Sequence, residues 1–199
     1  MENERRIFTI PNLLSLLRIV LVVFFEVYYF TDRKSLAFAV LIVSCLTDTV
    51  DGWIARRFHQ ISELGKVLDP VADKLFTVST LLTLCIGGTL KWWYVAALFF
   101  KEALMLVGGA VFIGSTGRVI AARWYGKVTT VVVFATMLYA MFVDAAGLFR
   151  VSDVHAVSLV SNCLLGICLV GLVLAYYSLI RYGTEAIRIF RETKSGKEN

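Results

Sequence analysis

The chain has 199 residues, 58% of them hydrophobic, with 20 Lys and Arg against 15 Asp and Glu. A mean hydropathy of +0.76 with only two prolines excludes an ordinary water-soluble domain. The net charge of +5 does not indicate a nucleic-acid partner, because the positive charges follow the pattern of a membrane topology.

Long apolar runs recur along the chain, and each is long enough to cross a bilayer, which takes about 20 helical residues. The runs lack the period-two alternation of barrel strands, so helices are predicted. The predicted spans are residues 12–31, 36–57, 67–89, 92–114, 124–147 and 156–181. The sequence therefore predicts an all-α integral membrane protein with six transmembrane helices. An interfacial segment, 1–11, precedes the membrane domain, 12–181, and a basic tail, 182–199, follows it.

The positive charges predict the orientation of these spans. Fifteen Lys and Arg residues fall on the side that holds both termini and the 2–3 and 4–5 connections, against four on the opposite side. Because cytoplasmic segments of membrane proteins are enriched in Lys and Arg, both termini are expected in the cytoplasm.

The first span begins near Asn12 and carries Arg18 about two turns inside. An ionised side chain at that depth costs a few kcal/mol unless it is compensated. Two interpretations stay open. Either Asn12 and Arg18 line a polar cavity near a nucleotide or phosphate, or Arg18 only extends its guanidinium to the membrane surface.

Four aspartates lie where the second span ends and the third begins. Asp48 and Asp51 are three residues apart and share one helix face, and Asp69 and Asp73, four apart, share a face of the next helix. Such carboxylates repel one another unless a cation neutralises them. Mg²⁺ and Mn²⁺ prefer carboxylate and water oxygens, so the pattern indicates a divalent-metal site on the cytoplasmic side. Capping of a helix that starts at Pro70 explains Asp69 but not the other three.

The residues between the aspartates complete a longer pattern. It reads Asp48-x2-Asp51-Gly52-x2-Ala55-Arg56-x8-Gly65-x3-Asp69-x3-Asp73. Gly52 and Ala55 add small surfaces that allow a flat nucleotide or a neighbouring helix to approach closely. With these eight positions at fixed spacing, the chain resembles the CDP-alcohol phosphatidyltransferases, and the hydropathy pattern extends the resemblance to the whole chain.

The resemblance implies a fold, a reaction and a set of roles. It implies the six-helix CDP-alcohol phosphatidyltransferase fold, as a homodimer, in a bacterial cell membrane. The implied reaction transfers a phosphatidyl group from CDP-diacylglycerol to an alcohol and releases CMP. Two Mg²⁺ or Mn²⁺ ions would be held by Asp48, Asp51 and Asp69, with Asp73 as general base that also shares a metal. The implied nucleotide-binding residues are Asp48, Asp51, Gly52, Ala55, Arg56, Gly65 and Asp69.

The acceptor alcohol is predicted from charge. The connection between the fourth and fifth spans carries only basic charged residues, and cations in a half-buried pocket recognise phosphate well. The candidates are Arg118, Lys127 and Arg123, with Arg181 at the end of the sixth span. They favour sn-glycerol 3-phosphate as acceptor and phosphatidylglycerophosphate as product. The general enrichment of cytoplasmic positive charge predicts the same residues without any acceptor.

Other functions stay open. The ending AYYSLIRYG is similar to that of cardiolipin synthases of this family, whose acceptor is phosphatidylglycerol. Phosphatidylglycerophosphate synthases tend to carry Arg-Glu where this chain has Lys101-Glu102. Serine and inositol phosphate are further possible acceptors. In a different class, the aspartates would form the cation path of a divalent-cation transporter, which has no need of Arg56 beside its ligands.

Overall fold

A computed structural model describes residues 10–58, 63–116, 124–148 and 153–195. Within these ranges the chain forms six α-helices and no strand. They are α1 (Ile10–Phe30), α2 (Lys34–Phe58), α3 (Glu63–Ile86), α4 (Trp92–Thr116), α5 (Trp124–Ala145) and α6 (Val154–Ser195). The backbone alone is described at residues 10–12, 14, 48–58, 63–70, 125 and 191–195. The prediction of an all-α chain is confirmed for the described residues.

Three of the helices are long and apolar enough to cross a membrane by length and composition. These stretches are Trp92–Thr116, Gly126–Ala145 and Val154–Phe190. Large apolar side chains are also exposed on all six helices, such as Val23 on α1 and Leu106 on α4. A water-soluble protein rarely exposes so much apolar surface, whereas lipid covers it at no cost. The chain is therefore an integral membrane protein, and which of its six helices cross the membrane stays a prediction.

The last helix is much longer than a membrane crossing. It has 42 residues, about 63 Å at 1.5 Å per residue, against a hydrocarbon core of roughly 30 Å. Asp153 caps its first turn, because its Oδ1 accepts hydrogen bonds from the backbone N–H groups of His155 (2.9 Å) and Ala156 (3.4 Å). The predicted boundary between membrane domain and tail, at 181–182, lies inside this continuous helix.

The described chain divides into two compact units. The first unit holds α1, α2, α3, the second half of α5 and the first residues of α6. In this unit α1 packs against both α2 and α3. The core there contains Phe25 of α1, Leu41 of α2 and Phe76 of α3, all almost fully buried. A hydrogen bond from the Ser79 hydroxyl to Glu26 Oε1 adds a polar contact between α3 and α1.

One carboxylate joins four segments of the first unit. Asp144, near the end of α5, accepts hydrogen bonds from Tyr29 Oη (2.8 Å) and Thr89 Oγ1 (3.0 Å) and pairs with Lys34 Nζ (2.5 Å). The Lys34 and Asp144 side chains are only 17% and 10% exposed. The end of α3 also packs closely here, because a β-carbon at Gly87 would overlap the Tyr29 hydroxyl. The buried charge of Asp144 is thus compensated by the ends of α1 and α3 and the start of α2.

The second unit holds α4, the first half of α5 and the rest of α6. Two side chains bond to the backbone of another helix. Tyr176 Oη donates to the Ala97 carbonyl (3.2 Å), and Thr129 Oγ1 donates to the Leu174 carbonyl (3.2 Å). A β-carbon at Gly171 would lie 3.4 Å from Tyr94 Oη, so this glycine lets α6 approach the fully buried Tyr94.

We expect Asp144→Asn to lower the free energy of unfolding by about 2–3 kcal/mol, because it leaves the Lys34 ammonium buried without a counter-charge. The thermal unfolding midpoint of the protein in detergent, followed by tryptophan fluorescence, measures the loss. Asp153→Asn is the matched control, since that exposed residue caps a helix equally well as Asn.

A second variant separates the ion pair from the hydrogen bonds. Lys34→Met combined with Asp144→Asn removes the stranded ammonium and keeps an acceptor for Tyr29 and Thr89. The double variant should therefore be more stable than Asp144→Asn alone. Equal or greater destabilisation in the double variant would show that charge compensation is not what Asp144 contributes.

Candidate functional site

The four-aspartate motif lies on α2 and α3, both of which pack against α1. Asp48 stands ten residues before the end of α2 at Phe58, and Asp73 stands ten residues after the start of α3 at Glu63. Ten helical residues rise about 15 Å. The backbone of both helices is continuous through the motif, so the predicted sharing of one face by each aspartate pair follows from the helical repeat.

Buried polar residues continue the two aspartate faces toward the middle of the helices. Ser44, four residues before Asp48, is 1% exposed, and Thr80, seven residues after Asp73, is also 1% exposed. Neither hydroxyl has a hydrogen-bond partner among the described residues. Asp73 itself is half-buried. Because buried hydroxyls are nearly always hydrogen-bonded in native proteins, these two point to a polar ligand or ordered water on these faces.

The first helix, which packs against both α2 and α3, carries a buried cation. Arg18 stands eight residues after the start of α1, about 12 Å along it, and is 2% exposed. Ser15, one turn earlier on the same face, is fully buried. A guanidinium that only reached for the membrane surface would be exposed at its end. The burial therefore favours the polar-cavity interpretation of Arg18; the Asn12 side chain lies outside the described residues.

Carboxylate chemistry makes the motif suitable for divalent cations. Only the backbone is described for Asp48, Asp51 and Asp69, and the same holds for the other motif residues, Gly52, Ala55, Arg56 and Gly65. Among side chains that are described, no three His, Cys, Asp or Glu groups converge on a point. The donor set still fits, because two carboxylates on each of two helices, with Ser44 and Thr80 on the same faces, supply the oxygen ligands and water-binding groups that hydrated Mg²⁺ requires.

Two of the four candidates for binding the acceptor phosphate lie among the described residues. Arg118 and Arg123 lie outside the described residues, whereas Lys127 and Arg181 are exposed on α5 and α6 of the second unit. Gly126 allows the start of α5 to lie close to the middle of α6. A β-carbon there would lie 3.2 Å from Tyr182 Oη and 3.9 Å from Ser178 Oγ. Lys127 and Arg181 are the chain neighbours of Gly126 and Tyr182, so they lie on neighbouring parts of α5 and α6.

The adjacent charges on α4 form an ion pair despite pointing about 100° apart on the helix. Lys101 Nζ lies 2.7 Å from Glu102 Oε1, and the two side chains are 8% and 37% exposed. The flexible lysine stem makes this geometry possible, and the buried ammonium requires such a partner. The sequence alone left the partner of Lys101 undecided.

Three polar residues in the interior of the first unit were not predicted from the sequence. They are Ser15, Ser44 and Asp144, although each stands in a recognisable sequence pattern. Ser15 and Ser44 stand at helical spacing from Arg18 and Asp48, and Asp144 is a lone acid in an apolar run. A search for polar residues in register with the motif would have found the two serines.

Taken together, the fold and motif define an integral membrane protein with paired aspartates on two consecutive helices. The family model for CDP-alcohol phosphatidyltransferase matches residues 8–180 of the chain. The chain therefore belongs to the CDP-alcohol phosphatidyltransferase family, and the resemblance inferred from the motif is confirmed.

Named relatives differ in the acceptor that their names imply. CDP-diacylglycerol–glycerol-3-phosphate 3-phosphatidyltransferase of Aquifex aeolicus is 31% identical over 187 residues, covering 92% of this chain and 99% of the relative. A Mycobacterium tuberculosis protein provisionally named cardiolipin synthase is 34% identical over 130 residues, 64% of this chain and 62% of the relative. Another from that organism, provisionally named phosphatidylglycerophosphate synthase, is 34% identical over 136 residues, 65% and 64%. The chain thus spans less than two thirds of the length of both mycobacterial relatives.

We expect Gly126→Leu to destabilise the protein by about 1–3 kcal/mol, because the new side chain must displace Tyr182 from the contact between α5 and α6. Gly166→Leu is the matched control, since a β-carbon there meets nothing within 4 Å. Thermal unfolding midpoints of the two variants in detergent give the comparison. Equal midpoints would contradict the close approach at Gly126.

Proposed function

We propose that this chain synthesises phospholipid by transferring the phosphatidyl group of CDP-diacylglycerol to sn-glycerol 3-phosphate, releasing CMP. The observation that carries the proposal is the aspartate pattern on two continuous helices that both pack against α1, on which Arg18 is buried. Membership of the family and the full-length similarity to the Aquifex aeolicus enzyme support the same reaction.

The chain's own residues divide the work of the reaction. Asp73, half-buried on α3, takes the proton from the acceptor hydroxyl as this oxygen attacks the phosphorus of the phosphatidyl group. The bond from that phosphorus to the CMP oxygen breaks, and CMP leaves. Gly52 and Ala55, at the helix positions beside Asp51, leave room for the nucleotide, and Arg56 and Gly65 complete its binding site. Arg18 and Asn12 contribute polar groups of α1 to the same cavity.

Two divalent cations, Mg²⁺ or Mn²⁺, complete this proposal. Asp48, Asp51 and Asp69 would hold them, with Asp73 sharing one. When bound, they neutralise the pyrophosphate and stabilise charge on the attacking and leaving oxygens of an in-line displacement.

The acceptor phosphate is assigned to the basic groups around the end of α4 and the start of α5. Lys127 near the start of α5 and Arg181 on α6 are exposed, and Arg118 and Arg123 precede Lys127 in the chain. Guanidinium groups bind phosphate oxygens through paired hydrogen bonds, which selects a phosphorylated alcohol over serine.

The membrane arrangement is part of the proposal. All six helices cross a bacterial cell membrane, both termini and the aspartates face the cytoplasm, and two copies form a homodimer. Residues 1–11 lie along the membrane surface, and 182–199 form the cytoplasmic tail. The four native cysteines are first replaced by serine. Single cysteines introduced into this variant at residues 3 and 197 should then resist a membrane-impermeant reagent added to intact cells and react after lysis. Labelling without lysis would show that the termini face the outside of the cell, opposite to the proposed orientation.

A second acceptor is favoured by a specific observation. Relatives named cardiolipin synthase include the Mycobacterium tuberculosis protein and one from Streptomyces coelicolor that is 39% identical over 108 residues, 51% of this chain and 50% of the relative. Lys101-Glu102 also departs from the Arg-Glu of phosphatidylglycerophosphate synthases. With phosphatidylglycerol as acceptor, the product would be cardiolipin, and Asp73 would have the same role.

We expect Asp73→Asn to lower the rate of CMP release by about 10²–10⁴-fold, because an amide does not accept the acceptor's proton. The assay uses purified protein, CDP-diacylglycerol and Mg²⁺, with glycerol 3-phosphate, phosphatidylglycerol, serine or inositol phosphate added singly. Asp153→Asn, an exposed change outside the motif, should retain full activity.

The acceptor series also tests the alternatives. CMP release with phosphatidylglycerol and with no other acceptor would show that phosphatidylglycerol, not sn-glycerol 3-phosphate, is the acceptor. No release with any acceptor, combined with uptake of Mn²⁺ into liposomes containing the protein, would replace the enzyme by a divalent-cation transporter.

Removal of divalent cations should abolish CMP release, because the pyrophosphate charge is then not neutralised. Activity is measured after treatment with a chelator and again after adding Mg²⁺, Mn²⁺ or Ca²⁺. Mg²⁺ or Mn²⁺ should restore it, and Asp51→Asn should raise the Mg²⁺ concentration required for half-maximal activity. Full activity in the chelator would contradict the metal assignment.

A further inference from the structure

The last helix presents two different stripes of residues in the second unit. The packed stripe is almost fully buried and consists of Leu164, Cys168, Gly171, Ala175 and Ser178. Another stripe is exposed along its whole length and consists of Ser158, Asn162, Leu165 and Leu169. Its members are spaced four, three and four residues apart, so at 100° per residue they stand within about 60° of one another on the helix. We refer to this exposed stripe as the α6 seam.

Asn162 is an unusual residue for a surface that faces lipid. It lies six residues inside the predicted span 156–181, about 9 Å along the helix. Asn12 and Asn162 are the only asparagine or glutamine residues in the six predicted spans. A carboxamide in hydrocarbon costs free energy unless it is hydrogen-bonded, because lipid tails offer neither donors nor acceptors. The exposed side chain of Asn162 therefore requires a polar partner that lipid tails do not supply.

The described part of the chain supplies little of this requirement. Asn162 Nδ2 lies 3.5 Å from the Ser158 hydroxyl, which is at the outer limit for a hydrogen bond, and Asn162 Oδ1 has no partner among the described residues. Other exposed polar side chains of the helices are satisfied locally. The hydroxyls of Thr130 and Ser115 donate to backbone carbonyls one turn earlier in their own helices. The carboxamide of Asn162 thus remains available to another molecule.

A second copy of this chain is the partner that the geometry favours. Two copies inserted in the same orientation are related by a two-fold axis normal to the membrane, so each residue meets its own counterpart at the same depth. Two carboxamides are complementary, because the N–H of each donates to the carbonyl oxygen of the other. Leu165 and Leu169, which are 42% and 48% exposed, would pack against their counterparts in the same way.

The spacing of the seam also fits a pair of parallel helices. Steps of four, three and four residues are those of the core positions of a two-stranded coiled coil, in which a single polar asparagine fixes the register of two identical helices. In membranes, side-chain amides likewise hydrogen-bond between helices. Asn162 holds such a core position, between Ser158 and Leu165.

We propose that the α6 seam is a contact between two copies of this chain, in which the two Asn162 carboxamides hydrogen-bond across the two-fold axis. This proposal rests on the homodimer proposed above and adds the surface and the residue that form it. None of the residues assigned to the reaction belongs to the seam, so the failure of one proposal does not decide the other.

Disulfide formation in liposomes tests which stripe of α6 forms the contact. In the variant whose four native cysteines are replaced by serine, Leu165→Cys should form an intermolecular disulfide on mild oxidation, because a two-fold axis brings identical seam positions together. Val170→Cys is the matched control, since Val170 is also exposed, at 55%, and stands on a different flank of α6. A low ratio of protein to lipid keeps chance collisions rare, so the control should cross-link about tenfold less.

The role of the carboxamide is tested by the affinity of the dimer. Energy transfer between full-length chains labelled at residue 197 is measured over a series of dilutions in liposomes and gives the dissociation constant. Asn162→Leu should raise this constant about tenfold, because it removes the amide pair and leaves a side chain suited to lipid. Asn162→Gln keeps a carboxamide and should retain most of the association, and Val170→Leu should leave it unchanged.

Several results would overturn the proposal. A wild type that is monomeric at every dilution would overturn both the seam and the homodimer. An unchanged dissociation constant in Asn162→Leu, or equal cross-linking at Leu165→Cys and Val170→Cys, would overturn the seam alone. Cross-linking of Leu165→Cys to a different protein in native membranes would make that protein the occupant. Thermal midpoints are recorded alongside, and Asn162→Ala replaces Asn162→Leu if that variant unfolds.

Discussion

The constraint on which this structure depends is that a charge inside a membrane protein must have a counter-charge or a hydrogen-bonding partner. An ionised side chain in the apolar interior costs several kcal/mol when it is left alone. Asp144 meets this requirement with Lys34, Tyr29 and Thr89, and the buried Lys101 meets it with the adjacent Glu102. In both cases the compensating groups are side chains of the protein itself.

The aspartate motif raises the same problem, and we propose that bound divalent cations resolve it there. Four carboxylates on two helices repel one another unless positive charge compensates them. Ser44 and Thr80 continue the same faces with buried hydroxyls that have no partner among the described residues. Clustered carboxylates with hydroxyl groups beside them suit hydrated divalent cations, which would in turn bind a pyrophosphate. The charge of Asp144 is thus compensated within the protein and stabilises the fold, whereas the four motif aspartates are suited to binding a ligand.

Glycines divide the second unit in a comparable way. Gly126 and Gly171 stand where a side chain would press on Tyr182 or Tyr94, so they permit helices to approach each other. Gly108 and Gly109 of α4 and Gly183 of α6 stand beside empty space and line a groove between these two helices. Glycine thus permits close helix packing at some positions and leaves space unfilled at others. The distinction depends on what lies opposite each glycine, which a sequence pattern does not contain.

The sequence by itself determined the helices, the membrane setting and the family. Apolar runs and the spacing of Asp48, Asp51, Asp69 and Asp73 are local features, and a helix converts local spacing directly into a shared face. Only the tertiary structure decided that Asp144 binds Lys34 and Tyr29, that Arg18 is buried, and that Gly126 meets Tyr182. Lys34 and Tyr29 stand 110 and 115 residues from Asp144 in the chain. Contacts over such separations depend on which helices pack together, and helical periodicity specifies which face is apolar without specifying its partner.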